Sequence, residues 1–312
     1  MVDLKMAVVG IGATGSVLAA ALLQTAPETI LVEPVPAVRE ALLRDGLEVS
    51  GVLSHRVPVR NAVAGVADLR GADVDVVVVN TKTCVLDRVL DDLEGVFRPG
   101  MKVVSAQNGL GTEDVIAERF GADAALRMVL NYGASILGPA RVESTFFNPP
   151  NQLGGLSEGG REAGERLAAI LTAGGLETAF VDDVKLFVWK KMLMKCTMAS
   201  ICAVTDMTIK DALDYAPTRE IADNCFQEFL VVAEAMGYPL GQDHLAAGIA
   251  YLEKVGVHKD SMCYDVENKK PTEIDFLGGK VVEYARRKGV AAPYYTVMTN
   301  LVRTMEHNYL AV

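Results

Sequence analysis

Gly10, Gly12 and Gly15 form a Gly-x-Gly-x-x-Gly pattern with Ile11, Ala13 and Thr14 between them. The pattern follows an apolar run, Met6 to Val9, and precedes a helical run from Ser16 to Thr25. In that setting each glycine has its own task. Gly10 permits a tight turn, Gly12 lets the backbone approach a pyrophosphate, and Gly15 lets helix and strand pack closely. The helix start adds unpaired N–H groups and the positive end of the helix dipole. The chemistry expected is dinucleotide binding. Glu33, at the end of the next strand candidate, can accept a hydrogen bond from a ribose 2′-OH and would repel a 2′-phosphate, which predicts NADH over NADPH. Lys82 and Arg39 are cations that could meet a phosphate instead, and all three residues also suit solvated surface positions.

A second group of residues carries chemistry only in combination. Lys191 lies in a helical run with Lys190 beside it and Lys195 one turn on, a pattern that alone describes a solvated face. Asn108, inside Gln107-Asn108-Gly109, can be a turn former. Ser261 and Thr272 can be helix caps, and Glu273 a first-turn helix charge. The residues by themselves leave these readings open.

The elements that would position them alternate in the first half. Met6 to Val9, Thr29 to Val32, Val74 to Val79 and Val103 to Ala106 are unalternated apolar runs, as expected of parallel strands buried on both faces. Helical stretches are expected between them at Pro36 to Arg44, Val85 to Phe97 and Glu113 to Phe120. Arg127 to Phe147 and Gln152 to Gly155 read as antiparallel strands with turns at Gly138-Pro139 and Pro149-Pro150, followed by a helix from Arg161 to Thr172 and a strand from Glu177 to Val181. From Val184 the pattern is helical, with runs at Val184 to Val204, Thr218 to Met236, His244 to Val255 and Ile274 to Lys288. The fold class expected is α/β, an N-terminal Rossmann-type doubly wound sheet (1–183) and a C-terminal all-helical domain (184–312).

Composition narrows the function. Of 312 residues half are apolar, and the net charge is −10 with no basic run, which argues against nucleic-acid and anionic-membrane partners. Five cysteines without a Cys-x-x-Cys pair argue against a disulfide framework and structural zinc, and predict buried free thiols. Four histidines (His55, His244, His258, His307) have no metal-ligand spacing and read as surface residues, so no metal is expected. With no signal segment and no apolar run near the ~18 residues of a membrane helix, a cytoplasmic protein is expected.

Taken together, Gly10 to Gly15, Lys82, Gln107-Asn108-Gly109, Trp189-Lys190-Lys191, Ser261-Met262, Thr272 to Asp275 and Gly289 to Pro293 resemble the ketopantoate reductase (2-dehydropantoate 2-reductase) family over nearly the whole chain. The resemblance implies an NAD(P)H-dependent reduction of an α-keto acid to an α-hydroxy acid, in pantothenate biosynthesis where the family's own substrate is kept. It implies a homodimer, with substrate lying between a Rossmann and a helical domain. It makes Lys191 the general acid and Glu273 the acidic group near it, while Asn108 and Ser261 hold the substrate. Gly10 to Gly15, Glu33, Lys82 and Asn108 would bind the cofactor, NAD by preference or NADP.

Where the family usually has asparagines one and two turns after that lysine, this chain has Lys195 and Ala199. The departure predicts an altered substrate, with Lys195 pairing a second anionic group, Ala199 making room, and the two ammonium groups disfavouring each other's charge. Two alternatives stay open. One is an opine-type dehydrogenase that reduces a keto acid–amine imine; the other is a non-catalytic dinucleotide sensor.

Overall fold

The structure, a computed structural model, describes residues 4–311. It divides into two compact units. One runs to Gln107 and resumes over Thr112–Val184; the other comprises Asn108–Gly111 and everything from Lys185 onward.

The first unit opens with β1 (Met6–Val9), α1 (Ala13–Thr25), β2 (Ile30–Val32) and α2 (Pro36–Asp45). Three short strands follow, β3 (Leu47–Gly51), β4 (His55–Val57) and β5 (Asn61–Val63). Next come β6 (Val76–Val79), α3 (Leu86–Glu94), β7 (Lys102–Ser105), α4 (Thr112–Phe120) and β8 (Ala125–Val129). The unit ends with β9 (Tyr132–Gly138), β10 (Arg141–Phe147), β11 (Asn151–Gly155), α5 (Arg161–Ala173) and β12 (Thr178–Phe180).

The main sheet has the order β12-β11-β8-β7-β6-β1-β2-β5, and its strands from β8 to β5 all run parallel. Every residue of β1 and β6 is buried, so the lack of alternation has the expected cause. Register pairs Val9 with Val79, which brings the segments after β1 and β6 side by side. Asn80 N–H accordingly donates to Val9 O at 2.8 Å.

A second sheet, β4-β3-β10-β9, was not anticipated. Its strands β3 and β4 have five and three residues, too few for a period-two pattern to stand out. The hairpin of β9 and β10 turns at Pro139 and Ala140, the latter at φ 57°. Helix α1 packs on this sheet and on α5, and Gly15 through Leu23 are all buried. That explains why the helix is apolar on every side rather than striped. Gly174 after α5 lets the two helices close, since a Cβ there would lie 2.0 Å from Ala21 O.

The second unit is helical: α6 (Val184–Thr205, entered from the first unit), α7 (Ile209–Asp214), α8 (Ala216–Ala235), α9 (Gln242–Val255), α10 (Ser261–Glu267), α11 (Gly278–Lys288) and α12 (Pro293–Leu310). Trp189 on α6 anchors its core, with ring centroids 5.3 Å from Phe229, 5.6 Å from Tyr238 and 5.7 Å from Tyr284. The single helix expected over Ile274 to Lys288 is broken. Ile274–Phe276 is a 3₁₀ turn and α11 starts at Gly278, where a Cβ would lie 2.6 Å from Thr299 Oγ1. Helices α7, α10 and α12 were not assigned from sequence; α12 begins on Pro293, whose fixed φ suits a first helical turn as well as a stop.

Among the described residues no helix is long and apolar enough to cross a membrane, and no group of histidine, cysteine and acidic residues could hold a metal. Two expectations need correction. Cys84 is exposed, whereas Cys196, Cys202, Cys225 and Cys263 are buried. His55 and His244 are half-buried, not surface residues: β4 tucks His55 Nε2 away from solvent, and His244 Nε2 lies 3.1 Å from Lys190 O.

Candidate active site

In the first unit the loop after β1 has the conformation its glycines require. Gly10 has φ +96°, and a Cβ there would lie 2.9 Å from Thr81 N. At Gly15 a Cβ would lie 2.0 Å from Gly10 O, so any side chain would force helix and strand apart. Gly12 differs: a Cβ there meets no protein atom within 4 Å. Protein packing therefore does not explain the glycine, whereas a ligand lying against the backbone does. Gly12 is also the N-cap of α1 and gives it no side-chain cap, leaving first-turn N–H groups for an anion. The residues fit a dinucleotide pyrophosphate.

Two residues that sequence reasoning missed hold this turn in place. Tyr132 Oη donates to Thr14 O at 2.9 Å, and burial raises the pKa of this phenol, so it stays a donor. Asn80, in the amide orientation its neighbours dictate, accepts from Gly15 N–H at 2.6 Å and donates to Ala106 O at 2.8 Å. A polar residue directly after the buried β6 was the available signal for Asn80. Tyr132 had no local signal.

Glu33 follows β2 and is 7% exposed. Its Oε2 accepts from Ile11 N–H at 3.3 Å and its Oε1 from Val35 N–H at 2.9 Å. It thus ties the glycine loop to the segment after β2, with a further lone pair on each oxygen for a ribose hydroxyl. Arg39 donates to the Glu33 and Pro34 carbonyls at 2.8 and 3.4 Å. Lys82 is exposed at the start of a 3₁₀ turn, Thr83–Val85. Beneath these loops lies a buried polar network. Arg127, 1% exposed, is 3.7 Å from Glu113 Oε2 and donates to Ser105 Oγ at 2.8 Å and to Thr112 Oγ1. Ser105 reaches Gln107 Oε1 at 3.3 Å, and Gln107 Nε2 donates to Thr81 O at 3.0 Å.

In the second unit Lys191 and Asn108 meet: Lys191 Nζ donates to Asn108 Oδ1 at 2.8 Å. Asn108 is held there by its neighbours. Gly109 N–H donates to Met192 Sδ at 3.2 Å and Leu110 N–H to Phe276 O at 2.8 Å. Gly109, at φ +119°, lets the chain lie on Phe276, whose carbonyl would be 2.8 Å from a Cβ. Phe276 N–H in turn donates to Glu273 O at 3.1 Å, so the acid's 3₁₀ turn and the Asn108 segment share an anchor. Glu273 itself is 7% exposed. Thr272 is a local cap, accepting from Ile274 N–H at 3.2 Å.

Lys195 departs from expectation. Its Nζ donates to both oxygens of Asp260, at 2.9 and 2.7 Å, and to Ser261 Oγ at 2.9 Å. Asp260 was missed, although an acid directly before Ser261 is a recognisable N-cap; it accepts from Met262 N–H at 2.9 Å. With its charge matched by this carboxylate, Lys195 is not an uncompensated second cation beside Lys191. Ala199 is fully buried and adds no polar group. Cys196 is also fully buried, and burial raises its thiol pKa, so it is inert.

Comparison with known proteins adds a lineage. Residues 6–156 match the family model described as ketopantoate reductase PanE/ApbA, and residues 183–306 match its C-terminal counterpart. A 2-dehydropantoate 2-reductase of Streptococcus pyogenes serotype M3 is 27% identical over 303 residues, covering 96% of this chain and 97% of that protein. The fold superposes on a PanE/ApbA family ketopantoate reductase from Ralstonia eutropha JMP134 with a TM-score of 0.87, 23% identity and coverage of 98% and 100%. It also superposes on D-mandelate dehydrogenase in complex with NADH, with a TM-score of 0.81, 25% identity and coverage of 98% and 99%.

Proposed function

Because the chain belongs to the ketopantoate reductase family, we propose that it is an NAD(P)H-dependent reductase that converts an α-keto acid to an α-hydroxy acid, with 2-dehydropantoate or a relative of it as substrate. The observation that carries the reading is the 2.8 Å bond from Lys191 Nζ to Asn108 Oδ1: a primary amine held at a fixed place by a side-chain amide, not one trailing in solvent. When bound, the nicotinamide supplies the hydride. The chain's own residues do the rest. Lys191 gives a proton to the oxygen that gains charge as the carbonyl carbon is reduced. Asn108 orients that amine, Glu273 supplies the acidic group of the site, and the Ser261 hydroxyl meets the substrate carboxylate.

The cofactor site of this reading is Gly10 to Gly15 with Glu33 and Lys82. NADH is the preferred cofactor, because a buried carboxylate on the loop after β2 opposes a 2′-phosphate, and D-mandelate dehydrogenase, a fold relative, binds NADH. Cytoplasmic location and a homodimer belong to the same proposal. The imine-reducing alternative keeps only the room it drew from Ala199, because the extra cation it drew from Lys195 is matched by Asp260.

Oxidation of NADH and of NADPH is measured with 2-dehydropantoate and with other α-keto acids. Turnover of at least one acid, faster with NADH, is expected. No turnover with any α-keto acid and either cofactor overturns the proposal, and a preference for NADPH overturns the cofactor assignment.

A further inference from the structure

Lys195 and Asp260 form a closed unit. A lysine ammonium has three N–H groups, and Asp260 Oδ1, Asp260 Oδ2 and Ser261 Oγ accept them at 2.9, 2.7 and 2.9 Å. The pair is sheltered, its side chains 17% and 8% exposed. Asp260 Oδ1 has a second duty as the cap of α10, so the carboxylate cannot swing away without uncapping that helix. A second anion could reach Lys195 only by displacing Asp260, which would strand a buried carboxylate without its cation.

The effect on Ser261 is directional. One lone pair of Oγ takes the Lys195 N–H, and the adjacent ammonium repels the hydroxyl hydrogen. That hydrogen must point away from Lys195. Among the described residues no group accepts it, and Ser261 is exposed. The result is a hydroxyl preset as a donor next to a neutral ion pair.

We propose that Lys195 and Asp260 are positioning residues that fix the Ser261 hydroxyl as a donor to a single carboxylate, and that the neutrality of the pair makes the enzyme selective for α-keto monocarboxylates over α-keto dicarboxylates. This rests on the reductase reading, in which Ser261 meets the substrate. Ala199, the next residue on that helix face, is buried and apolar and offers nothing to a second carboxylate.

The test compares wild type with Asp260→Asn, using 3-methyl-2-oxobutanoate as monoacid and 2-oxoglutarate as diacid. Asparagine caps a helix as well as aspartate does, so α10 is retained while Lys195 is left with an unbalanced charge. In wild type, kcat/KM favours the monoacid. In Asp260→Asn the monoacid-to-diacid ratio falls at least about tenfold, the size of one charge-assisted contact, through a lower KM for the diacid rather than a changed kcat. Lys195→Asn raises KM for the monoacid, because the Ser261 hydroxyl is no longer fixed. An unchanged ratio in Asp260→Asn, or a wild type that reduces both acids equally well, overturns the inference. If wild type reduces no keto acid, the reductase reading fails on its own. Calorimetric affinities for the two acids in wild type and Asp260→Asn then decide the selectivity by the same ratio.

Discussion

The glycine loop of the first unit and the lysine cluster of the second are built on different principles. The loop is a backbone device: Gly10, Gly12 and Gly15 act through the side chains they lack, Gly10 and Gly15 because the loop itself and the segment after β6 crowd them, Gly12 because it faces open space. The cluster is a side-chain device. Lys191 finds Asn108 across 83 residues of sequence, and Lys195 finds Asp260 across 65. A backbone device tolerates change wherever no atom is in the way, whereas a side-chain device fails when either partner is lost.

The largest effect belongs to the second kind. Lys191→Met is expected to lower kcat by about 10²–10⁴, the usual share of a general acid, while calorimetry finds the dinucleotide Kd unchanged; a kcat within a factor of two of wild type would remove Lys191 from the chemistry. Next comes Arg127→Met, which strands Glu113 beneath the first unit's loops. Denaturant unfolding should show a loss of about 3–5 kcal/mol, and a loss below about 1 kcal/mol would mean that the network around Ser105 and Thr112 does not depend on the cation.

A glycine pair sharpens the contrast within the loop itself. Gly12→Val should keep the wild-type melting temperature, since its Cβ has open space, yet bind dinucleotide at least about tenfold more weakly, the effect of one lost ligand contact. Gly15→Ala should lower the melting temperature, because its Cβ collides with Gly10 O. Equal melting losses in both variants would make Gly12 a packing glycine.

The smallest effect is electrostatic. Burial lowers the His55 pKa below its ordinary 6.5. Between 6.5 and that lower value the unfolded chain binds more protons here than the folded one, so stability falls as the pH drops through the window. His55→Gln should therefore lose less stability than wild type on going from pH 7.5 to 5.5; equal losses would exclude His55 as the cause.

Legibility from sequence followed the same division. The parallel strands and the glycine loop could be read because burial on both faces and steric demand act locally, as in the four valines of β6. The second sheet could not, since β4 has only three residues and their pairing is decided by distant strands. At the candidate site the resemblance singled out Lys191, Asn108 and Ser261, and the structure brings Lys191 to Asn108 and Lys195 to Ser261. Asp260 and Tyr132 were missed because each acts on a partner far along the chain, and the presence of Lys195 was read correctly while its partner was not. An ammonium on a helix face says nothing about which carboxylate the fold will bring to it.

The four residues Asn108–Gly111 lie between β7 and α4 in the sequence yet belong to the helical unit. The helical unit is therefore not a contiguous stretch of the gene. A fragment expressed from Lys185 onward lacks the amide that holds Lys191. A chimaera that joins this helical unit to another cofactor-binding unit inherits whatever residue its donor carries at position 108. Exchange of parts between such proteins must move two segments together, the long helical one and a four-residue insert, or the amine arrives without its partner.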